Sequence, residues 1–313
     1  MSLPTFEPML ATRWDKPFDD SAWWFEVKWD GYRAVVGRDG SGLRARSRRG
    51  LELVDSFPEL ASAPIPEGVV VDSEIVAFDG EGRPSFSLLQ RRTGFGGRPT
   101  KAEGSAVNLV VFDLLYDGSS LLDVPYEERR QRLEHLELPH PVIVPAPTAA
   151  TGVALYEVVR EQGLEGIVGK RLGSRYQPGR RSPDWRKISV RRRLRAVVGG
   201  YLPGEGGRSS TFGSVLVGLY KGDDLIWIGA VGSGFDQGSL TAFRDALRQI
   251  ERSESPFADK VLVPQSPVWV EPSIVINVEY KEWTADHHLR APVFKGAEVV
   301  DPGVITWESE GPG

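Results

Sequence analysis

The sequence contains no cysteine. That excludes disulfides, thiolate metal sites and thiol nucleophiles, and it fits a reducing compartment. Histidine is scarce too. Of the four, His287 and His288 are adjacent and His135 and His140 stand apart, so no pair has the i, i+4 spacing of a zinc-binding helix. The chain has no G-x-x-x-x-G-K-[S/T] phosphate loop. The glycine cluster at 94–97, G-F-G-G, is expected to be an ordinary loop. No apolar run is long enough to cross a bilayer. The N-terminal MSLPTFEPMLATRWDKPFDD lacks the basic-then-apolar order of a secretion signal. A soluble cytoplasmic chain without a membrane partner is the expectation.

What is present is enough for folded cores: 40% apolar residues and nine tryptophans in 313 residues. That length suggests two domains. The net charge of −5 conceals an asymmetry. Residues 165–195 hold eleven Lys or Arg against Glu165 and Asp184, a local +9, which leaves −14 for the remainder. Such a basic stripe marks either a phosphate-rich partner or a solvated surface. Charge alone leaves both open.

Short β-rich runs recur in the first part: WWFEVKWD, YRAVVGR, GLRARS, VVVDSEIVAFD, NLVVFDLLY and GIVGKRL. Two helices are expected among them, PYEERRQRLEHLEL started by Pro125 and GVALYEVVREQG closed by Gly163. The mixture predicts an antiparallel α+β domain over residues 1–189. After RRRLR the pattern changes to LRAVVGGYLP, GSVLVGLYKG, DLIWIGAVGSG and IVINVEYKEW, interrupted by one helix, SLTAFRDALRQIERS. This predicts a small β-barrel of the oligonucleotide-binding (OB) kind over 190–313.

Within FEVKWDG, strand alternation puts Phe25, Val27 and Trp29 on one face and Glu26, Lys28 and Asp30 on the other. A lysine between two acids is either a structural ion pair or a nucleophile. A lysine of ordinary pKa, about 10.4, is neutral in roughly one molecule in a thousand at pH 7.4. Flanking carboxylates hold the proton tighter, so a nucleophilic role requires further cations, desolvation or a metal. The chain offers them. Arg33 follows five residues later, SRRG supplies Arg48, and Glu74 interrupts an apolar strand. Phe112 ends a buried run, EGIVGKR supplies Glu165 and Lys170, and DWRKIS supplies Lys187. Each has a bland reading as core or surface; their order and company do not.

K-W-D-G-Y-R, S-R-R-G, D-S-E-I-V, F-D-L-L, E-G-I-V-G-K and W-R-K-I-S occur in the order of the covalent nucleotidyltransferase motifs. E-W-T…L-R-A-P-V-F-K-G resembles the last motif of bacterial ATP-dependent DNA ligases. The chain is similar to the ligase module of ligase D and to stand-alone ligase C. The resemblance implies that Lys28 attacks the α-phosphate of ATP and carries AMP. Glu26 and the backbone at Val27 would contact adenine, and Phe112 would stack on it. Arg33 and Arg48 would hold sugar and phosphate. Glu74 and Glu165 would contact ribose or hold Mg²⁺ or Mn²⁺. Lys170 and Lys187 would stabilise the α-phosphate, and Arg290 and Lys295 would act on the leaving pyrophosphate.

The implied partner is nicked or broken duplex DNA, bound by a monomer that is nucleoid-associated when on DNA, with Ku or a repair polymerase acting in trans. Two departures stand out. The fifth motif usually carries a second cation where this chain has Ser189; either catalysis is slower for it, or one of Arg191, Arg192 and Arg193 reaches in. The last motif runs into GAEVVDPG without its usual arginine. An RNA ligase, a capping-type nucleotidyltransferase and a non-catalytic nucleic-acid-binding relative are the alternatives.

Overall fold

A computed structural model describes residues 3–93, 106–206, 210–284 and 286–312; the 94–97 glycine cluster lies outside them. The chain divides into two compact units, Met1–Val190 and Arg191–Gly313.

The first unit holds two five-stranded sheets. One consists of β1 (Leu10–Arg13), β10 (Arg181–Ser189), β9 (Gly166–Arg171), β2 (Asp19–Val27) and β8 (Thr148–Thr151), in that order. The other runs β4 (Gly42–Ser47), β3 (Tyr32–Asp39), β5 (Val69–Ala77), β6 (Val107–Asp117), β7 (Val142–Ile143). Pairing is mostly antiparallel as expected, but β1–β10 and β6–β7 are parallel. In the first pair a short edge strand reaches the sheet from the far end of the domain, which strand patterning cannot reveal; in the second, β7 follows β6 by way of a helix.

Between the sheets lies an apolar cluster of Met9, Val35, Val70, Phe112, Leu115, Tyr176 and Trp185. Helix α3 (Gly152–Glu161) covers the outer face of the first sheet, where Trp23, Phe25, Ile167 and Ile188 pack with Val159. The outer face of the second sheet packs on Leu89 of α1 (Phe86–Thr93) and Leu133 of α2 (Tyr126–His135). Helix α2 is mostly charged, EERRQRLEH, yet it buries Tyr126, Arg129, Arg130 and Leu133. The Arg129 guanidinium donates to both Asp113 carboxylate oxygens at 2.8 Å, with both side chains fully buried. It also donates to the carbonyls of Val124 and Ser174. This satisfaction is what makes a buried arginine tolerable.

The second unit is a six-stranded sheet: β13 (Asp224–Val231), β12 (Phe212–Lys221), β11 (Arg192–Pro203), β15 (Val268–Tyr280), β14 (Glu251–Arg252), with β16 (Val293–Glu298) also on β15. A bridge from Ser233 to Val293 brings the end of β13 to β16 and curls the sheet round its core. Helix α4 (Gln237–Arg248) contributes Leu240, Phe243 and Leu247 to that core.

One glycine positions the site. The chain leaves β2 after Val27 and crosses β5 at Gly31, where a Cβ would fall 2.1 Å from the Ile75 carbonyl oxygen, well inside contact distance. Gly31→Ala is therefore expected to cost about 1–3 kcal/mol, a fall of several degrees in the Tm of the first unit. An unchanged Tm would contradict so close a crossing.

Candidate active site

A cavity of about 220 Å³ opens between the two sheets of the first unit. Its lining gathers Glu26, Val27, Lys28, Arg33, Arg48, Glu74, Phe112, Lys170 and Lys187 from six strands and two connecting segments. Strand register explains how. Glu26 lies opposite Val168, and Val168 opposite Lys187; Trp24, Lys170 and Trp185 form the neighbouring row. Side chains two apart share a face, so each row delivers its polar members to the same cleft.

Lys28 is not on the strand. β2 ends at Val27, and the Lys28 N–H donates to the Gly166 carbonyl at 2.8 Å. Phe25 faces the outer core and Glu26 the cavity, as alternation requires. The carboxylate that Lys28 meets is that of Glu165, 2.5 Å from its Nζ, rather than one of its flanking acids. The loop after β2 releases the lysine from alternation and points it across to the residue preceding β9.

Glu26 is engaged elsewhere. Its Oε2 lies 2.7 Å from Lys170 Nζ, and its Oε1 accepts from the Tyr126 hydroxyl. Lys170 is buried and also donates to the Phe112 carbonyl at 2.9 Å. The rings of Phe112, Tyr126 and Trp185 lie 4.5–5.0 Å from its Nζ. Burial pulls the Lys170 pKa down, with Glu26 opposing. The resemblance assigns Lys170 to the α-phosphate; in the structure it lines the cavity as a buried side chain, with Glu26 and the Phe112 carbonyl taking two of its three donors.

Arg33 lies opposite Glu74 in register but donates to both Asp72 oxygens at 2.6 Å. Burial works against its charge, and the Asp72 carboxylate outweighs that and raises its pKa. Asp72 also accepts from Tyr176 at 2.5 Å. Glu74 lines the pocket beside these groups. Burial pushes its carboxyl up to about 7, against the pull of Arg33 and Lys28. Lys187 is pulled down by burial first, then by Lys28 and Arg181.

Arg181 and Trp185 line the cavity and were not among the site residues expected from the sequence. The signal was available: on β10, residues 181, 185 and 187 share a face by period two. Arg181 therefore brings a further cation into the pocket from the strand that carries Lys187. Arg191, Arg192 and Arg193 belong to the second unit, where Arg191 donates to the Ala291 carbonyl and Arg193 to Glu279.

Arg290 and Lys295 also belong to the second unit. The Arg290 guanidinium pairs with Glu282, and Lys295 Nζ lies 2.8 Å from Glu279. The basic run at 165–195 is thus not one stripe. Lys170 is buried, Arg186 stacks among Trp14, Phe18 and Trp23, and Arg193 and Arg195 pair with acids of the second unit. Arg171, Arg175, Arg180 and Arg181 remain exposed on the first unit.

The family model described as "ATP dependent DNA ligase domain" matches residues 8–189, and "ATP dependent DNA ligase C terminal region" matches 208–298. The multifunctional non-homologous end joining protein LigD of Mycolicibacterium smegmatis is 37% identical over 311 residues. That match takes in 97% of this chain but 40% of LigD. The crystal structure of the ligase domain of Mycobacterium tuberculosis LigD is 34% identical, with a TM-score of 0.55 over 96% of this chain and 98% of that one. A mycobacterial DNA ligase D complexed with ATP and MES is 32% identical, with a TM-score of 0.56 over 96% and 98% of the two chains. A cavity between two sheets with a lysine held beside Glu165, an OB-type second unit and these matches agree: the chain belongs to the ATP-dependent DNA ligase family.

Proposed function

We propose that this chain seals 5′-phosphate/3′-hydroxyl nicks or breaks in duplex DNA, through AMP carried on Lys28. The observation that carries the reading is the division of charge in the cleft. Glu26 and Phe112 stand with Lys170 at one end, suited to a purine base. Lys28, Lys187, Arg48 and Arg181 bring cations for a triphosphate. Phosphoryl transfer is largely a matter of positioning and of charge stabilisation around an in-line centre.

In the first step Lys28 Nζ bonds to the α-phosphorus of ATP, the bond to the β-phosphate oxygen breaks, and pyrophosphate leaves. The proton lost from Nζ has the Glu165 carboxylate at 2.5 Å as acceptor. AMP then passes to the DNA 5′-phosphate, and attack by the 3′-hydroxyl releases it. Phe112 would stack on adenine, Val27 would contact it through the backbone, and Arg48 would hold phosphate. Arg33, held by Asp72, would shape the sugar site. Arg290 and Lys295 would act on pyrophosphate once released from Glu282 and Glu279.

Work in double-strand break repair, with Ku or a polymerase in trans, is our reading by analogy with LigD. So are a monomeric state and a cytoplasmic, nucleoid-associated location. Among the described residues no helix is long and apolar enough to cross a membrane.

Among the described residues no three His, Asp or Glu side chains converge into a metal cage. Mg²⁺ does not need one: it keeps water and substrate phosphates and takes one or two carboxylates. Glu74 and Glu165 fit that demand for Mg²⁺ or Mn²⁺. The ion would supply positive charge to the phosphates.

Without a cation, an ionised Glu74 is a liability. Its folded pKa of about 7 exceeds the ordinary 4.5, so stability present below pH 4.5 is lost as pH rises through 7. Glu74→Gln removes that loss. In EDTA the variant should gain on the wild type from pH 5 to pH 8, by at most roughly 3 kcal/mol, less with residual solvent exposure. Melting curves giving the same gap at both pH values would contradict the burial assigned to Glu74.

The function is tested with α-labelled ATP and a divalent metal, after pyrophosphate has stripped any AMP already bound. The wild type should take label that survives denaturation and then seal nicked DNA; Lys28→Ala should do neither. Sealing of nicked RNA alone would favour the RNA-ligase reading, label from GTP alone the capping reading. A wild type that takes no label would leave the non-catalytic relative.

A further inference from the structure

We propose that Tyr126, from a helix outside every nucleotidyltransferase motif, is a positioning residue that sets base selection through Glu26. The proposal rests on the adenylation reading above and deepens it.

Glu26 enters the cavity as a carboxylate with about four lone-pair sites. Lys170 Nζ takes one on Oε2, and the Tyr126 hydroxyl takes one on Oε1. Two donors on two different oxygens fix both the position of the carboxylate and the rotation of its plane. The remaining lone pairs belong to a group that lines the pocket. A carboxylate so held is a pure acceptor. It suits a base that presents an amino group and disfavours one that presents a keto oxygen. Lys170 alone cannot fix this orientation, because a single donor leaves the carboxylate free to turn about that bond.

Tyr126 is suited to the task. It is fully buried at the N-terminus of α2. Its ring packs edge-on against Trp24 at 6.1 Å and stands 5.0 Å from Lys170 Nζ. Burial and then the Glu26 charge raise its pKa well above the ordinary value, so it keeps its proton and remains a donor. Arg129, three residues on, is locked to Asp113 of β6, which fixes the helix against the sheet that carries Phe112. The base-stacking residue and the base-reading acid are therefore tied to one helix start.

The test varies protein and ligand together. Tyr126→Phe removes one oxygen and keeps the ring. AMP is compared with purine riboside monophosphate, which lacks the 6-amino group, by equilibrium binding to pyrophosphate-stripped enzyme. Neither ligand can charge Lys28, so binding reads the base site independently of the chemistry. Label transfer from ATP, followed alongside, tests the Lys28 reading by itself.

The wild type should prefer AMP by at least about 10-fold, the scale of one hydrogen bond to a charged acceptor. Tyr126→Phe should weaken AMP by about 10-fold and the deamino analogue by less than about twofold. In label transfer it should raise KM for ATP by a similar factor and leave kcat nearly unchanged. Equal weakening of both ligands would make Tyr126 a packing residue and overturn the proposal. So would a wild type that binds both alike, a result that stands even if the variant fails to fold. Loss of label with intact discrimination would instead fault the adenylation reading and leave the base relay in place.

Discussion

The cleft depends on keeping one lysine inside the protein. Lys170 is 1% exposed, and a buried ammonium without partners costs far more than a fold can spare. Glu26 supplies the opposite charge, the Phe112 carbonyl accepts a second hydrogen bond, and three aromatic rings surround the rest. Those same contacts build the pocket. Glu26 belongs to β2, Lys170 to β9 and Phe112 to β6, so satisfying the lysine joins the two sheets at one end of the cleft. Remove it, and Glu26 becomes the unpaired buried charge.

The other cations of the cavity are arranged oppositely. Arg48 and Arg181 are exposed, Lys187 is half-buried, and Lys28 is 24% exposed beside Glu165. Lys187 is pulled down by burial and by the charges of Lys28 and Arg181. Mutual repulsion of this kind is relieved when an anion enters, which is how a site prefers a polyphosphate without contacting every oxygen. One side-chain type thus serves two ends of one ligand, and burial decides which.

Much of this was legible in the chain. Alternation in FEVKWDG put Glu26 on the face away from Phe25, and the strands and the three longer helices follow from local pattern; the grouping of residues at the cavity came from the motif resemblance. Alternation also put Trp29 with Phe25, yet Trp29 lines the cavity, because β2 ends at Val27. Partner choice did not. Lys28 sits between two acids in sequence and pairs with Glu165, because β2 ends one residue earlier and sequence neighbours are not spatial ones. Helix α2 is rich in charge, and only the tertiary placement of Asp113 shows why Arg129 is inside. Arg181 was readable by period two from Lys187, but only once RSPDWRKIS is known to be a strand. The parallel pairing of β1 with β10 joins segments far apart in the chain and leaves no local trace.

The central claim is that, of the three lysines lining the cavity, the accessible one beside Glu165 reacts and the buried one holds the base end. Peptide mapping by mass spectrometry, after incubation with ATP and a divalent metal, tests this directly. The account predicts AMP on the peptide carrying Lys28 and none on those carrying Lys170 or Lys187. AMP on Lys170 would mean that the buried pair opens and that the division of labour argued here is wrong.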